Sequence, residues 1–386
     1  MKIAFVVHDY HRAGGHSRYV AELATRFSQD HEVHVFANRI ERAAEQRVMF
    51  HTVPALRTNV VTTILSFALT SKLLVRGGFD VVHSQGFCGP RSNVITAHIC
   101  NEAWSRALSR FAPQTARERI FHSMASRLEK GLYGDPACGH VIAISNRVAR
   151  DVADCYGCRA PIHLIYHGVD LQTFSPGVRR FRAERRQALG LVDADTAFLY
   201  VGDLRKGARQ CIRALSRLPE GHLLLVSRSA PEPYQALARE AGVADRVHCL
   251  PPTNRVDQCY AAADAFLLPS PYDAFAMVVT EAMACALPVV VSREAGVSEL
   301  IEHGRNGFLL NDAADHLELA QHMSALQHDP GLAARLGQAA RLTAEGLSWD
   351  TVAGQTMRVY EEVVASRLGK TSDSRQLAFA DRRRDE

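Results

Sequence analysis

Short apolar runs alternate with segments of helical period along most of the chain, and this alternation constrains the fold more than any other feature of the sequence. Residues 2–8 form an apolar run, a polar loop follows, and apolar side chains then recur at helical spacing over 19–27. The same order returns downstream, as at 32–37 and 197–201. Strands that alternate with helices in this way are typical of a parallel sheet covered by helices. The chain is therefore predicted to be an α/β protein with doubly wound, Rossmann-like sheets.

A turn-rich passage over 167–176 interrupts the alternation, which then starts again. At 386 residues the chain is also too long for a single ordinary core. We predict an N-terminal domain over 1–172 and a C-terminal domain over 176–348, which face each other across a cleft. A strong helix over 350–368 is expected to pack back on the N-terminal domain, and the polar residues 371–386 are expected to be disordered.

Charge and cysteine content narrow the class of protein. The net charge of +4 is too small to indicate nucleic-acid binding, so no nucleic-acid partner is predicted. The apolar opening of the sequence is shorter than the apolar region of an export signal, and the nine cysteines, an odd number, are scattered along the chain. Both features favour a cytoplasmic protein with reduced thiols. Cys155 and Cys158 have no second cysteine cluster beside them, and they are interpreted as a helix end followed by a loop.

The loops that follow the strands are the candidate sites, because ligands bind there in doubly wound domains. The first loop holds Gly14 and Gly15 and opens a helix, where backbone amides can approach a phosphate or a sugar. The second holds Arg205 and Lys206 before Gly207, and its two cations can hold a pyrophosphate. Taken alone, the first loop also fits an ordinary tight turn, and the second a solvated surface loop.

Two acids frame a third loop. Asp273 follows an apolar run and can accept hydrogen bonds from sugar hydroxyls, whereas Glu281 lies two turns into the next helix. Between them the helix start at 277–279 offers free amides to phosphate. An acid inside an apolar segment costs free energy unless it has a partner, so Glu281 is predicted to be functional. His98 ends the strand-like run 93–97 and should face the cleft, with a capping or core role as the alternative.

Together these loops resemble the retaining glycosyltransferases of family 4, which have the GT-B fold of two Rossmann-like domains. The similarity covers nearly the whole chain, and its specificity lies in the combination of elements. The passage 202–284 is most similar to the lipopolysaccharide-core glucosyltransferases, which share a short Arg-Lys-Gly loop. The residues that carry the resemblance are Gly14-Gly15, Thr96-Ala-His98, Tyr166-His-Gly-Val-Asp170 with Phe174, Tyr200-Val-Gly202, Arg205-Lys-Gly207, Asp273 with Glu281, Pro288-Val-Val and Glu299-Leu-Ile.

The resemblance implies a retaining, metal-independent hexosyltransferase that moves a sugar from a nucleotide diphosphate donor to an acceptor. A UDP-sugar is the favoured donor, and GDP-mannose is the alternative. The acceptor would be a glycan or a glycolipid, such as lipopolysaccharide core or another cell-surface polysaccharide precursor. No cofactor is expected.

The same resemblance assigns roles to individual residues. His98, Lys206 and Asp273 are the candidate catalytic residues: His98 meets the donor sugar, Lys206 binds the diphosphate and Asp273 binds sugar hydroxyls. Glu281 would bind the ribose. The other donor-binding residues would be Gly14, Gly15, Arg205, Phe275, Met277 and Val278.

Three positions depart from the family pattern. Asp273 stands where the family has glutamate, Asp203 where many relatives have arginine, and Ala286 where glycine is usual. The shorter acid leaves the choice of donor sugar open. Asp193 and Asp195 match the Asp-x-Asp pattern of metal-dependent glycosyltransferases, but they precede the first strand of the second domain and are interpreted as a solvated turn.

Residues 104–130, from Trp104 to Lys130, combine apolar and basic side chains. A basic amphipathic segment of this kind can lie on an anionic membrane surface, where each cation contributes roughly 1 kcal/mol. Contact with the inner face of the cytoplasmic membrane is one interpretation. A surface helix that packs its apolar side on the core is the other.

Two other functions fit a GT-B protein. Nucleotide-sugar 2-epimerases share the arrangement, and a catalytically silent relative could serve as a binding or regulatory partner. The cations of 205–207 and the passage 166–170 favour a transferase over an epimerase. The aspartate at position 273, in place of the family's glutamate, is the feature that supports the alternative of a catalytically silent protein.

Overall fold

The computed structural model describes residues 1–12, 14–41, 47–89, 92–109 and 114–381, with side chains up to Arg367. Within these ranges the strands are, in chain order, β1 (Lys2–Val6), β2 (Asp9–Tyr10), β3 (Glu32–Ala37), β4 (Arg39–Ile40), β5 (Val48–Thr52), β6 (Val81–Gln85), β7 (Val94–Ala97), β8 (His140–Ala143), β9 (Ile162–Leu164), β10 (Ala197–Val201), β11 (His222–Val226), β12 (Val247–Leu250), β13 (Ala265–Leu268), β14 (Val289–Ser292) and β15 (Phe308–Leu310).

The helices of the same ranges lie between these strands and after the last one. They are, in chain order, α1 (Gly15–Phe27), α2 (Val60–Leu74), α3 (Asn101–Ser109), α4 (Ala116–Tyr133), α5 (Asn146–Tyr156), α6 (Arg182–Ala188), α7 (Ala208–Leu215), α8 (Glu232–Glu240), α9 (Asp257–Ala262), α10 (Met277–Ala284), α11 (His316–His328), α12 (Pro330–Glu345) and α13 (Trp349–Asp381).

Two parallel sheets organise the protein. The first has the strand order β5-β3-β1-β6-β7-β8-β9, and the second has the order β12-β11-β10-β13-β14-β15. In each sheet the first strand of the chain, β1 or β10, lies in the interior, and later strands are added on both of its sides. This arrangement defines a doubly wound sheet. The predicted α/β class with two Rossmann-like sheets is therefore confirmed. A short parallel pair, β2 and β4, extends the edge of the first half.

The core explains why the strands read as continuous apolar runs. Strand β10 is almost fully buried, because helices cover both faces of the parallel sheet. One buried cluster joins β7, β8 and α5 of the first half to the second half of the chain. The two halves therefore meet through packed side chains on the side where α5 lies.

Helix α13 returns to the first half of the molecule. Trp349, Val359 and Tyr360 belong to the same buried cluster as Ile3 and Phe5 of β1. A Cβ on Gly168 would lie 2.5 Å from the Trp349 ring, so glycine is required where the passage after β9 crosses the start of this helix.

Helix α13 continues to Asp381, and its side chains are described up to Arg367. The expectation of a disordered segment over 371–386 stays a prediction. The sequence after Gly369 contains neither proline nor glycine before Asp381, so it contains no residue that breaks a helix. Residues 382–386 lie outside the described part of the chain.

The interpretation of Cys155 and Cys158 is confirmed. Helix α5 ends at Tyr156, and Gly157 adopts the left-handed conformation (φ 66°) that terminates helices. Cys155 therefore lies in the last turn and Cys158 in the following loop. Within the described residues, no helix is long and apolar enough to cross a lipid bilayer.

Candidate active site

A cavity of about 410 Å³ lies where the carboxyl ends of strands from both sheets face each other. Loops after β2, β7, β8 and β9 form one wall, and loops after β10 and β13 form the other. The predicted residues that line it are Gly15, His98, Lys206, Asp273, Phe275, Met277 and Val278. Gly14, Arg205 and Glu281 are not among the described residues of its lining. Most of the predicted site is thus brought together at one cavity.

Lys206 and Asp273 meet across the second-domain wall of the cavity. The Nζ atom of Lys206 donates to Oδ2 of Asp273 at 2.9 Å, and the two side chains are 28% and 20% exposed. Among the described residues that line the cavity, Lys206 is the one lysine or arginine. Gly207 lets this loop lie against the end of β13, because a Cβ there would be 2.4 Å from the Pro269 carbonyl oxygen. The loop therefore places a single cation at the cavity wall.

The start of α10 opens onto the same cavity. Ala276 precedes the helix in a left-handed conformation (φ 70°) and provides no side-chain cap. In the described structure, no backbone hydrogen bond outside the regular elements uses the amide of Met277 or Val278, and both residues line the cavity. Free amides at a helix start favour an anion. A non-glycine residue at positive φ costs about 1 kcal/mol or more, and such strain is found preferentially at functional sites.

Glu281 lies behind the cavity, in an ion pair that connects the two halves. Arg18 of α1 donates to its Oε1 at 3.2 Å, and the Tyr260 hydroxyl donates to its Oε2 at 3.0 Å. Burial raises the pKa of Glu281, while Arg18 and Tyr260 act in the opposite direction. Arg18 also faces Asp170 at 4.0 Å. The partner that a buried acid requires is thus an arginine 263 residues away in the sequence.

Arg205 forms ion pairs with two carboxylates. Its guanidinium contacts Oδ2 of Asp203 at 2.8 Å and Oε1 of Glu118 at 3.0 Å. Glu118 belongs to the first turn of α4, so this contact also bridges the two halves. Hydrogen bonds from Arg205 and Thr115 lower the pKa of Glu118, with the Thr115 contribution the larger. The predicted role of Arg205 at a diphosphate stays a prediction.

His98 belongs to a group of aromatic rings at the first-domain wall. Its ring centroid lies 4.2 Å from that of His16, 5.3 Å from that of His167 and 5.3 Å from that of Tyr19. Its Nε2 is 2.7 Å from Oε1 of Gln85. With that oxygen as acceptor, Nε2 carries the proton and Nδ1 is left as an acceptor without a protein partner in the described structure.

Desolvation keeps these imidazoles neutral. It lowers the pKa of His98 well below its usual value and that of His167 to about 3. His16 is exposed at the cavity mouth, yet the walls of the cleft lower its pKa to about 4. His16 and His167 line the cavity and were not among the predicted site residues. Their positions next to Gly15 and directly after the β9 segment are the sequence signals that mark them.

Further contacts across the cleft fix the start of α5. Oε1 of Glu299 accepts from the Arg147 amide at 2.9 Å, and its Oε2 accepts from the Asn146 amide at 2.9 Å. Ser145, the N-cap of α5, donates to the Ala274 carbonyl oxygen at 2.7 Å. The carboxylate of one domain therefore caps a helix of the other, next to the loop that carries Asp273.

The two acids of the Asp-x-Asp pattern lie in a turn outside the cavity lining. Asp193 is 92% exposed and 3.4 Å from Arg182, and Asp195 accepts from the Val192 amide at 2.7 Å. The segment predicted for membrane contact forms α3 and α4, with residues 110–113 outside the described part. Its Trp104 ring packs edge-on against His122 at 4.6 Å, whereas Ile120 is 68% exposed.

Comparison with known proteins agrees with this architecture. Residues 13–173 match the profile described as glycosyltransferase family 4, and residues 181–343 match that of the glycosyl transferases group 1. The two profiles meet at the boundary between the two sheets. The chain belongs to the glycosyltransferases of this two-domain family, with the GT-B fold.

Relatives with curated descriptions include D-inositol 3-phosphate glycosyltransferases. That of Xylanimonas cellulosilytica is 34% identical over 59% of this chain and 58% of its own length. That of Mycobacterium sp. (strain KMS) is 36% identical over 39% of this chain and 36% of its own length. The chain thus spans less than two thirds of the length of these two relatives. That of Acidothermus cellulolyticus is 28% identical over 95% of this chain and 89% of its own length.

Solved structures share the fold at low sequence identity. WaaG, a glycosyltransferase involved in lipopolysaccharide biosynthesis, superposes with a TM-score of 0.77 at 20% identity over 92% of this chain and 98% of its own. Sucrose-phosphate synthase from Thermosynechococcus elongatus gives 0.75 at 22% identity over 95% and 99%. Anabaena HepE in complex with UDP-glucose gives 0.69 at 19% identity over 96% and 100%. At sequence identities this low, the structural similarity establishes the fold alone.

Proposed function

We propose that this protein transfers a hexose from a UDP-sugar to an acceptor hydroxyl, with retention of anomeric configuration and without a metal ion. One observation carries the proposal: Lys206 lies at the same cavity wall as the uncapped start of α10, where Met277 and Val278 present free amides. A cation beside a helix start suits a diphosphate, whose two phosphates need both charge and hydrogen-bond donors. The complex of HepE with UDP-glucose supports the choice of UDP.

Binding of the diphosphate would replace part of the Lys206–Asp273 contact. Asp273 keeps a hydrogen bond from the Phe275 amide at 3.2 Å, which holds its carboxylate at the cavity when Lys206 turns to phosphate. A carboxylate so held accepts hydrogen bonds from sugar hydroxyls. The Lys206–Asp273 ion pair therefore holds both side chains at the cavity before the donor binds, and Lys206 then contacts the donor diphosphate.

The transfer itself needs stabilisation of the departing diphosphate more than a protein base. The bond from the anomeric carbon to the β-phosphate oxygen breaks, the acceptor oxygen bonds to the same face, and its proton passes to the departing phosphate. Lys206 and the α10 amides would stabilise the charge that develops on this leaving group. Neutral His98 would accept a hydrogen bond from a sugar hydroxyl through Nδ1 and would not act as an acid.

The acceptor is proposed to be a sugar hydroxyl of a glycan or glycolipid, such as lipopolysaccharide core. The described first-domain residues that line the cavity contain no lysine or arginine to hold an acceptor phosphate. Inositol 3-phosphate is the second candidate, because the relatives named above are inositol phosphate glycosyltransferases. An epimerase and a silent binding protein are not favoured, since both halves of the chain match glycosyltransferase families.

Contact with the inner face of the cytoplasmic membrane is proposed for the α3–α4 segment. Arg117, Arg119, Arg127 and Lys130 are exposed there, and Ile120 provides an apolar side chain beside them. Co-sedimentation with vesicles that contain anionic lipid should fall when Arg117 and Arg119 become serine. Unchanged co-sedimentation would contradict the membrane proposal and leave the transferase proposal intact.

The donor proposal is tested by thermal shift with UDP- and GDP-sugars in the presence of EDTA. A ligand that binds only the folded protein raises its melting temperature. We expect one UDP-sugar to stabilise the wild type, and release of UDP with glycan acceptors or inositol 3-phosphate then identifies the acceptor. Absence of any shift, with or without metal, would contradict the proposal, and donor interconversion without acceptor would indicate an epimerase.

A further inference from the structure

Histidines form hydrogen-bonded pairs across neighbouring outer strands in both sheets. His34 of β3 lies 2.7 Å from the His51 ring of β5, and His222 of β11 lies 3.1 Å from the His248 ring of β12. A further pair links the other edge of the first sheet, where Nδ1 of His140 in β8 is 2.9 Å from Nε2 of His163 in β9. A carboxylate lies near each pair, and its position differs among them.

In the first two pairs the carboxylate faces the outer nitrogen of a histidine. Glu32 contacts Nε2 of His34 at 2.9 Å, while Nδ1 of that ring faces His51. Asp195 likewise lies 3.9 Å from Nε2 of His222, whose Nδ1 faces His248. Each of these sets is a linear chain, because the carboxylate and the second imidazole face different nitrogens of the same histidine.

The pair at β8 and β9 has a different arrangement. Oε2 of Glu362, from α13, lies 3.8 Å from the same Nε2 of His163 that faces His140. One ring nitrogen has either a single proton or a single lone pair, so it cannot serve both neighbours by hydrogen bonding. The donor atoms of His140, His163 and Glu362 all lie within 4.8 Å of one another.

We infer that His140, His163 and Glu362 form a binding site for a divalent transition-metal ion of the Zn²⁺ type. Two imidazoles and one carboxylate are a frequent zinc ligand set, with nitrogen ligands at about 2.0–2.1 Å and a water in the fourth position. The two rings are nearly parallel, with an interplanar angle of 15° and centroids 5.2 Å apart, so their nitrogens lie side by side. Small side-chain adjustments bring all three ligands onto one ion.

The chemistry of the surroundings agrees with this site. Glu362 is 57% exposed and His163 22%, which leaves a path for the ion from solvent. Because the histidines belong to the sheet edge and Glu362 to α13, the ion would tie the C-terminal helix to the first domain. None of the three residues is among the described residues of the cavity lining.

The test is zinc titration of the protein, free of any histidine tag, by calorimetry and thermal shift. Glu362→Gln and His163→Gln remove one ligand each, and His248→Gln is the matched control in a linear histidine pair. We expect the wild type and the control to bind one zinc ion that both ligand variants bind about tenfold more weakly or worse. Zn²⁺ should raise the melting temperature of the wild type and the control more than that of the ligand variants.

Two results would overturn the inference. One is zinc binding of equal stoichiometry and affinity in all four proteins, which would place the ion elsewhere, for example at cysteines. The other is absence of zinc binding by the wild type at micromolar concentration. Because Glu362 is exposed, Glu362→Gln should leave the fold unchanged, and its circular dichroism spectrum and UDP-sugar binding check this. Co²⁺ in place of Zn²⁺ gives a second readout, since a bound ion at a nitrogen–oxygen site has visible absorption bands that Glu362→Gln should abolish.

Discussion

Replacement of Arg18 by methionine should destabilise the protein through a residue 263 positions away in the sequence. The substitution removes the guanidinium that lies 3.2 Å from Glu281 Oε1 and leaves the Tyr260 hydroxyl as the remaining hydrogen-bond donor to that carboxylate. The carboxylate stays buried, because α10 and α1 enclose it. An uncompensated charge therefore remains in the interface between the domains.

The size of the effect follows from the burial of the pair. Removal of one partner from a fully buried ion pair costs about 3–5 kcal/mol. The Arg18 and Glu281 side chains are 17% and 10% exposed rather than fully buried, so we expect a loss at or just below the lower end of that range, about 2–3 kcal/mol. Glu281→Gln should cost less than Arg18→Met, because Arg18 keeps Asp170 and Glu22 at 4.0 Å. The double variant should be more stable than the sum of the single losses predicts, by about 1–2 kcal/mol.

The loss should also depend on pH. Burial already raises the pKa of Glu281 above its usual value of 4.5, and removal of Arg18 raises it further. A carboxyl group whose pKa is raised in the folded state destabilises that state as the pH rises from the unfolded pKa through the folded one. Arg18→Met should therefore be closer to the wild type at pH 5 than at pH 8.

Urea unfolding of the four proteins of this cycle, followed by circular dichroism and tryptophan fluorescence, measures these free energies. Coincident transitions by the two probes are the check that the domains unfold together. An Arg18→Met protein as stable as the wild type at pH 8, or losses that simply add in the double variant, would refute the reasoning.

Two further predictions concern the turn after α10 and the ion pair between Arg205 and Glu118. Ala286 adopts a left-handed conformation (φ 57°), so Ala286→Gly should raise the free energy of unfolding by about 0.5–1 kcal/mol. As the control, Ala334→Gly at an exposed position of α12 should lower the free energy of unfolding by about 1 kcal/mol. Equal losses for the two variants in urea unfolding would contradict this prediction. If Arg205 binds the donor diphosphate, Glu118→Gln should tighten UDP binding by up to about fivefold, since an exposed ion pair is worth at most about 1 kcal/mol. Calorimetry with Arg205→Gln as the opposite control tests it, and unchanged UDP affinity in both variants would exclude Arg205 from the site.

The fold could be predicted because its signals are local. The strand-like segments at 32–37 and 197–201 coincide with β3 and β10. The segment 197–201 is continuously apolar because β10 is buried on both faces. Strand β5 was not predicted, because it lies at the sheet edge and its residues Val48–Thr52 show neither a continuous buried run nor a regular alternation. The resemblance implies glycine at the position of Ala286, and the positive φ of this residue is a conformation that favours glycine.

The site could be predicted only in part. The carboxyl ends of strands placed Lys206, Asp273 and His98 at one cleft, as the structure has them. The ion pair between Arg18 and Glu281 could not be predicted, because no local sequence feature distinguishes Arg18 among the 45 lysines and arginines of the chain. His16 and His167 were not predicted although they stand next to Gly15 and after β9, because the rings that stack on them come from distant segments.

Calorimetric titration of UDP into the wild type and Lys206→Met, in EDTA, tests the central claim most directly. Lys72→Met, at an exposed lysine of α2, is the matched control, and melting curves verify that all three proteins are folded. The account predicts that the wild type and the control each bind one UDP per chain. A hydrogen bond to a charged group is worth about 1.5–3 kcal/mol, so Lys206→Met should bind UDP about tenfold to a hundredfold more weakly. Equal UDP affinity in all three proteins, or no UDP binding by the wild type, would contradict it.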